Sequence, residues 1–171
     1  NLENTKKLFG GIDPSLSGTG VIVIDNENNE ILEQQLITTS NHKNDIYDIE
    51  KRIIYITKNL ECLLKYKNDL KMIHIEGISF GSRGDGAAQL AALNYAIRIW
   101  LLLSGFKYDN SSPSALKKFV TGKGNCKKNL MLKEVYKKWS VDFTDDNICD
   151  AYSLSRLAKH NYFKKQGVHN V

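Results

Sequence analysis

Three acidic side chains lie where apolar segments end or on an amphipathic segment. Asp13 closes the apolar run that begins at Leu8, Glu76 closes the run 72–75, and Asp150 lies in the segment 146–158. A buried carboxylate without a partner is costly, and converging carboxylates repel one another unless a cation lies among them. An all-oxygen set of this kind suits Mg²⁺ or Mn²⁺. Two such ions can activate water and neutralise the leaving oxygen in phosphodiester cleavage, so the pattern predicts a hydrolytic metal site.

A fourth acid, Asp146, precedes Asp150 by four residues and shares its face of a predicted helix. The apolar residues of this segment have the spacing of a helix packed on a sheet, which would carry Asp150 toward the other carboxylates: Ile148, Ala151, Leu154, Leu157 and Ala158. Each acid alone has a simpler explanation, because Asp13 also fits a turn before Pro14 and the others fit a solvated surface. The convergence of all of them is the stronger hypothesis.

Hydrophobic periodicity predicts the elements that must position these acids. It predicts strands at 8–13, 21–24, 30–40, 72–76 and 106–112. It predicts helices over 44–67, 87–104, 127–139 and 144–160, with a short helix or turn from Pro113. This order predicts one α/β domain with a mixed five-stranded sheet flanked by helices, as in a ribonuclease H-like fold. We expect residues 1–7 to be a flexible N-terminus, 8–160 the nuclease domain and 161–171 a loosely ordered tail.

Charge is spread unevenly along the 171 residues, whose net charge is +5. Residues 1–104 contain 11 Lys or Arg and 13 Asp or Glu, whereas residues 105–171 contain 13 and 6. A basic second half favours a polyanionic partner, nucleic acid before membrane, over a merely soluble basic surface. No run is expected to reach the ~20 apolar residues of a membrane span, because Arg98 interrupts the longest one.

The three cysteines are odd in number and widely scattered, which predicts neither a disulfide framework nor a zinc site. This usage favours a reducing, cytoplasmic location, in the cytoplasm of a host cell if the protein is viral or phage-encoded.

The sequence resembles the RuvC family of Holliday-junction resolvases, and more particularly its phage and poxvirus-like branch. The resemblance covers about residues 9–158 and rests on Gly11-Ile12-Asp13-Pro14-Ser15-Leu16-Ser17-Gly18-Thr19-Gly20, Ile75-Glu76-Gly77, Ser112-Pro113 with Lys117, Gly122-Lys123-Gly124 with Lys128, and Asp146-Asn147-Ile148-Cys149-Asp150-Ala151. The first and last motifs carry most of the weight. The resemblance implies an endonuclease that nicks four-way and other branched DNA with two Mg²⁺ or Mn²⁺ ions and no small-molecule cofactor.

The same resemblance implies that Asp13, Glu76 and Asp150 are metal ligands. The family has a fourth ligand, commonly Asp or His, three residues before the last Asp, and this chain has Asn147 there. An amide oxygen can coordinate but supplies no charge, so a second ion would bind more weakly. Asp146 is an alternative ligand, and an inactivating asparagine is the other alternative.

The resemblance also implies DNA contacts. Lys117 and Lys128 match basic residues near the scissile phosphate, Lys128 with a catalytic role, and Lys123 lies in the basic loop between them. Phe80 matches an aromatic that stacks on unpaired bases, with a core phenylalanine as the alternative. Arg83, in a glycine-rich loop, would follow the DNA backbone.

A two-fold symmetric homodimer is expected, because a four-way junction has two equivalent strands to cut. The predicted interface is the helix over 87–104, whose small and apolar residues allow close approach: Ala87, Ala88, Ala91, Ala92, Leu90, Leu93, Ile97 and Leu101. The alternative is that this helix only covers its own sheet.

Three other functions are consistent with parts of the pattern. A catalytically weak or silent junction-binding protein would explain Asn147, and a ribonuclease H-like nuclease could act on another nucleic-acid structure. A sugar-kinase or actin-type ATPase opens with a similar strand, Asp and turn, but needs two such domains, for which 171 residues are too few.

Overall fold

The computed structural model describes residues 5–79 and 81–167. Within them the chain forms the strands β1 (Leu8–Asp13), β2 (Gly18–Asp25), β3 (Ile31–Thr38), β4 (Leu70–Glu76) and β5 (Tyr108–Ser111). It forms the helices α1 (Asp48–Asn59), α2 (Asp85–Leu103), α3 (Pro113–Thr121), α4 (Lys128–Trp139) and α5 (Asp146–Lys165), with a 3-10 helix (Leu60–Tyr66) directly after α1.

The strands form one sheet in the order β3-β2-β1-β4-β5. β2 pairs antiparallel with both β1 and β3, whereas β4 pairs parallel with both β1 and β5. β1 and β4 are therefore neighbours whose carboxyl ends meet at the same sheet edge. The predicted mixed five-stranded sheet is confirmed.

Each face of the sheet carries its own apolar core. The core on one face joins the sheet to α1, the 3-10 helix and α2, and the core on the other joins it to α3, α4 and α5. Because successive strand residues point to opposite faces, Ile12 and Ile75 pack on the α2 side, whereas Phe9 packs on the α5 side. The same alternation directs Asp13 and Glu76 to the α5 side.

The first helix is shorter than predicted at both ends. α1 begins at Asp48 rather than residue 44, because the Tyr47 N–H donates to Asp45 Oδ1 at 2.9 Å and closes a turn instead. At its other end the chain tightens into the 3-10 helix from Leu60.

The predicted tail is wrong for residues 161–165, which continue α5. The rings of Tyr162 and Phe163 lie 5.3 and 5.9 Å from that of Phe9, so the last turns of the helix cover the start of β1. This aromatic contact explains why the helix continues past His160.

α2 is long and apolar enough to cross a membrane by length and composition, with a mean hydropathy of 1.3, contrary to the sequence expectation. Those two criteria are weak evidence, since core helices also meet them. Leu93, Ile97 and Leu101 are fully buried against the sheet, while Tyr95 and Ile99 on the other face are exposed. The helix is thus part of this domain, with a second apolar face left uncovered.

Candidate active site

The sheet brings two carboxylates to one edge. Asp13 is the last residue of β1 and Glu76 the last of β4, and Ile12 pairs with Ile75 in the parallel ladder between these strands. Both acids therefore project on the α5 side at neighbouring positions. Asp13 is buried, with 7% of its surface exposed.

Two glycines let α5 lie directly on the sheet. A Cβ on Gly11 would lie 1.9 Å from the Ala151 carbonyl oxygen, and one on Gly20 would lie 2.3 Å from that of Asn147. Both distances are far below van der Waals contact, so a side chain at either glycine would displace the helix. The close approach carries Asp150 over the edge where β1 ends.

Asp13, Glu76 and Asp150 thereby form a cluster in which one carboxylate oxygen of each lies within 4.8 Å of the others. Burial raises the pKa of Asp13 well above its usual range, and the charges of Glu76 and Asp150 raise it further. Burial also raises the pKa of Glu76, and it raises that of Asp150 to about 7 with help from the Glu76 charge. Three crowded carboxyl groups that resist ionisation fit the donor set of a hard divalent cation.

Two lysines approach the cluster from α3 and α4. Lys117 and Lys128 line a small cavity of about 90 Å³ together with Glu76 and Asp150. The Lys128 charge offsets part of the rise in pKa of all three clustered acids. The Lys117 charge does the same for Glu76 and Asp150. The structure thus brings together five of the residues predicted from the sequence.

Capping residues fix the starts of α3 and α5, two of the helices that carry these groups. The Ser112 hydroxyl accepts a hydrogen bond from the Ala115 N–H at 3.1 Å, which sets the start of α3 before Lys117. The Asp145 carboxylate accepts one from the Ile148 N–H at 2.9 Å, which sets the start of α5. Both are the side-chain caps that helix N-termini favour.

Asp146 and Asn147 lie beside the three-carboxylate cluster. Asp146 lines the same cavity as Lys117 and Lys128, and its charge raises the pKa of Asp150. Asn147 lies over the start of β2, where its Nδ2 would be 3.3 Å from a Cβ on Gly18. Asp146 therefore lies in the cavity beside the cluster, and Asn147 lies over β2, whose Gly20 pairs with Asp13.

The other predicted DNA contacts are more distant or lie outside the described residues. Lys123 is exposed in the loop after α3, where its N–H donates to the Thr121 hydroxyl, and it does not line the cavity of the cluster. Arg83 is exposed before α2 and lines a separate cavity of about 340 Å³. Phe80 lies outside the described residues.

The sequence reasoning missed Asn94, which fixes the end of β4. This α2 residue is 2% exposed, and its Nδ2 donates to the main-chain carbonyl oxygen of Glu76 at 2.8 Å. The sequence signal is a polar residue on the apolar face that Leu93 and Ile97 define. His74 lies on β4, two residues before Glu76, and its Nδ1 is 2.7 Å from Ser111 Oγ. Burial lowers the pKa of His74 to about 4, so this ring stays neutral.

Comparison with known proteins assigns the family. The model of the family described as crossover junction endodeoxyribonuclease RuvC matches residues 9–155. The chain belongs to the RuvC family. This confirms the resemblance and the predicted class of activity, a metal-dependent junction-resolving endodeoxyribonuclease; the phage and poxvirus-like branch stays a prediction. Crossover junction endodeoxyribonuclease RuvC of Brachyspira hyodysenteriae (strain ATCC 49526 / WA1) is 28% identical over 147 residues, which cover 85% of this chain and 89% of that protein.

Solved RuvC structures share the fold. Thermus thermophilus RuvC matches with a TM-score of 0.72 at 18% identity, covering 94% of this chain and 97% of that one. T. thermophilus RuvC in complex with a Holliday junction substrate matches with the same TM-score at 15% identity, covering 95% and 97%. The yeast mitochondrial Holliday junction resolvase Ydc2 matches with a TM-score of 0.59 at 13% identity, covering 94% and 81%. These matches support the ribonuclease H-like fold of the RuvC family.

Proposed function

We propose that this chain resolves four-way DNA junctions by nicking them at the cluster of Asp13, Glu76 and Asp150, with two Mg²⁺ ions that Mn²⁺ can replace. The single observation that carries the proposal is the meeting of these three carboxylates, from β1, β4 and α5, within 4.8 Å. When bound, the ions would supply an activated water and a counter-charge for the leaving oxygen. No small-molecule cofactor is part of the proposal.

The chain's own residues hold and orient the reacting groups. The three carboxylates would hold the ions at the sheet edge, and Asn94 keeps the end of β4 in place through the Glu76 carbonyl. Lys128 and Lys117 line the cavity beside Glu76 and Asp150, which supports a contact between these lysines and the scissile phosphate. Their positive charge orients the phosphate and offsets the charge that grows during cleavage.

The fourth ligand position combines an uncharged amide with a nearby acid. Asn147 would offer its amide oxygen to the second ion, and Asp146 would add negative charge from the side of the lysines. We propose that the second ion binds more weakly than the first, because the amide supplies no charge.

We propose a homodimer formed through the outer face of α2, with a corrected set of residues. Leu93, Ile97 and Leu101 face the chain's own core and are unavailable to a partner. The apolar residues exposed on α2 are Leu90, Tyr95, Ile99, Leu102 and Leu103, and Ala88 and Ala92 are exposed beside them. An uncovered apolar face on a soluble domain favours association with a like face, and a two-fold dimer gives two cutting sites for two equivalent strands.

Charge and cysteine usage support the remaining parts of the proposal. The basic second half of the chain, with Lys117, Lys123 and Lys128, would bind the DNA backbone, and Arg83 and Phe80 would also contact DNA. All three cysteines are free, which fits a reducing intracellular compartment.

A plasmid that extrudes a cruciform tests junction cleavage and the dimer together. Paired nicks within one binding event convert the plasmid to a linear product, whereas single nicks give an open circle. We expect linear product that requires Mg²⁺ or Mn²⁺, with no cleavage of the same plasmid lacking the cruciform sequence. Open circles alone would refute the dimer, and equal cutting of both plasmids would favour a nuclease for another structure.

Asn147 favours a second candidate, a junction-binding protein with weak or no cleavage. It predicts that the chain retards a synthetic four-way junction in a gel but leaves both plasmid forms intact at any metal concentration. The same samples therefore separate the two functions.

A further inference from the structure

The helices that line the catalytic cavity also line a second cavity further along their length. It has a volume of about 230 Å³ and is lined by residues of α3, α4 and α5: Phe119, Lys138, Trp139, Arg156, Lys159 and His160. Ten residues separate Lys128 from Lys138 on α4, which corresponds to about 15 Å along a helix. Nine residues separate Asp150 from Lys159 on α5, or about 14 Å.

The walls of this cavity collect positive charge. Its lining contains two lysines, an arginine and a histidine but no acid. Among residues 5–79 and 81–167, no carboxylate oxygen lies within 4.0 Å of a charged nitrogen of Lys138, Arg156 or Lys159. By contrast, the half-buried Arg52 elsewhere in the chain pairs with Asp48 at 3.4 Å.

Lys159 is the deepest of these cations, with 9% of its surface exposed. Its Nζ donates to the Asn26 carbonyl oxygen at 2.7 Å and to Asn29 Oδ1 at 2.9 Å. Both acceptors are neutral, so they orient the ammonium group without neutralising it, and the Asp25 carboxylate stabilises the charge only from beyond 4.0 Å. A buried charge in this state is stabilised by an anion.

Aromatic rings hold the other two cations at the walls. The Arg156 guanidinium lies 4.9 Å from the centre of the Trp139 ring. Lys138 Nζ lies 4.9 Å from the centre of the Phe119 ring and donates to the Phe119 carbonyl oxygen at 2.9 Å. Cation–π contacts position these groups but do not neutralise them.

We propose that this cavity binds a phosphate group of the DNA backbone, on an arm of the junction that is being cut. The proposal rests on the proposed function for its source of phosphate. The volume is below the ~300 to 1,000 Å³ of whole small-molecule sites, which suits one charged group of a larger chain. The spacing of about 15 Å from Lys128 corresponds to about four base-pair rises of 3.4 Å along the axis of a DNA duplex. The cavity would therefore fix the direction of an arm relative to the scissile phosphate.

Charge-removing variants and one fluorescent reporter test this site. The chain has two tryptophans, so Trp100→Phe leaves Trp139 as the only indole. In that background, the emission of Trp139 is followed during titration with a synthetic four-way junction and, separately, with inorganic phosphate. Junction affinity is then measured from 50 to 200 mM salt for Lys138→Gln and Arg156→Gln. Lys137→Gln is the matched control, since Lys137 is the neighbouring lysine on α4 and pairs with Glu134 at 3.7 Å.

We expect the junction to change Trp139 emission, and each cavity variant to lower the slope of log affinity against log salt by about one. Lys137→Gln should keep the wild-type slope. If both cavity variants keep the wild-type slope, or saturating junction leaves the emission unchanged, the proposal is wrong. An emission response to inorganic phosphate without a response to the junction would also overturn the proposal, because the cavity would then be a site for a free anion.

Nicking of the same junction by the wild-type chain is recorded in parallel. A chain that nicks the junction without any response at the cavity refutes this inference alone. A chain that does not nick refutes the proposed function instead.

Discussion

Gly20→Ala is the change that most sharply tests how the site is built. A Cβ at this position would lie 2.3 Å from the Asn147 carbonyl oxygen, whereas ordinary contacts begin near 3.4 Å. The first turn of α5 must therefore move by about 1 Å, and Asp150 moves with it. A displacement of about 1 Å in a catalytic group lowers the rate by about a hundredfold, and overpacking of this kind destabilises a protein by about 1–3 kcal/mol.

The assay combines single-turnover nicking of a four-way junction with thermal unfolding and calorimetric titration of Mn²⁺. We expect Gly20→Ala to fold, to unfold at a lower temperature, to nick about a hundredfold more slowly and to bind Mn²⁺ more weakly. Gly86→Ala is the control, because a Cβ there meets no atom within 4 Å and Ala is the better helix former. A Gly20→Ala protein with wild-type stability and nicking would refute the claim that close packing of α5 on β2 positions Asp150.

Three further predictions concern charge in the site. The pKa of Asp150 is raised from 3.8 to about 7 in the folded chain. The folded state therefore holds this proton more tightly than the unfolded state, and the metal-free protein should lose at most about 4 kcal/mol of stability as the pH rises from about 4 to 7. Urea unfolding in EDTA should show this loss, and Asp150→Asn or added Mg²⁺ should reduce it; a flat profile would contradict it. Asn147→Asp should lower the Mg²⁺ concentration needed for half-maximal nicking, whereas an unchanged titration would assign the ligand role to Asp146. Lys128→Ala should reduce the nicking rate about tenfold or more beyond its effect on junction affinity. The control is Lys133→Ala, at an exposed lysine on the same helix, which should change the nicking rate and the affinity by no more than a few-fold. If Lys128→Ala lowers the nicking rate and the affinity equally, Lys128 is an ordinary phosphate contact.

The sequence predicted the strand carboxylates well because strand geometry is local. In a sheet of the predicted order the first and fourth strands are neighbours, so Asp13 and Glu76, which end these strands, are expected at one edge. The position of Asp150 followed from helical spacing in the same way. These patterns require only the period of the element and the order of the strands.

Features that depend on close packing were not predictable from periodicity. The roles of Gly11 and Gly20 appear only when α5 is placed on the sheet, because a glycine in a strand is equally consistent with a bulge. The bond from Asn94 to the Glu76 carbonyl joins residues 18 positions apart on two elements. Three of the predicted dimer residues, Leu93, Ile97 and Leu101, were misassigned in the same way, since they point inward on a helix that is apolar on both faces.

The end of α5 was missed for a related reason. Tyr162 and Phe163 follow several polar residues, and their contact with Phe9 joins opposite ends of the chain. The position of Lys159 at the second cavity likewise depends on a turn more than a hundred residues away. Such long-range contacts decide where a helix ends and where charged side chains gather, and they cannot be read from the composition of a segment.

The central claim is that Asp13, Glu76 and Asp150 form one metal-dependent cutting site. Its most direct test is metal-dependent nicking of a synthetic four-way junction by the wild type and by Asp13→Asn, with junction affinity measured on the same samples in Ca²⁺. The account predicts that Asp13→Asn loses nicking by at least about a hundredfold while its affinity changes by no more than a few-fold, because the DNA contacts come from basic residues elsewhere. An Asp13→Asn protein that nicks at the wild-type rate would contradict the account.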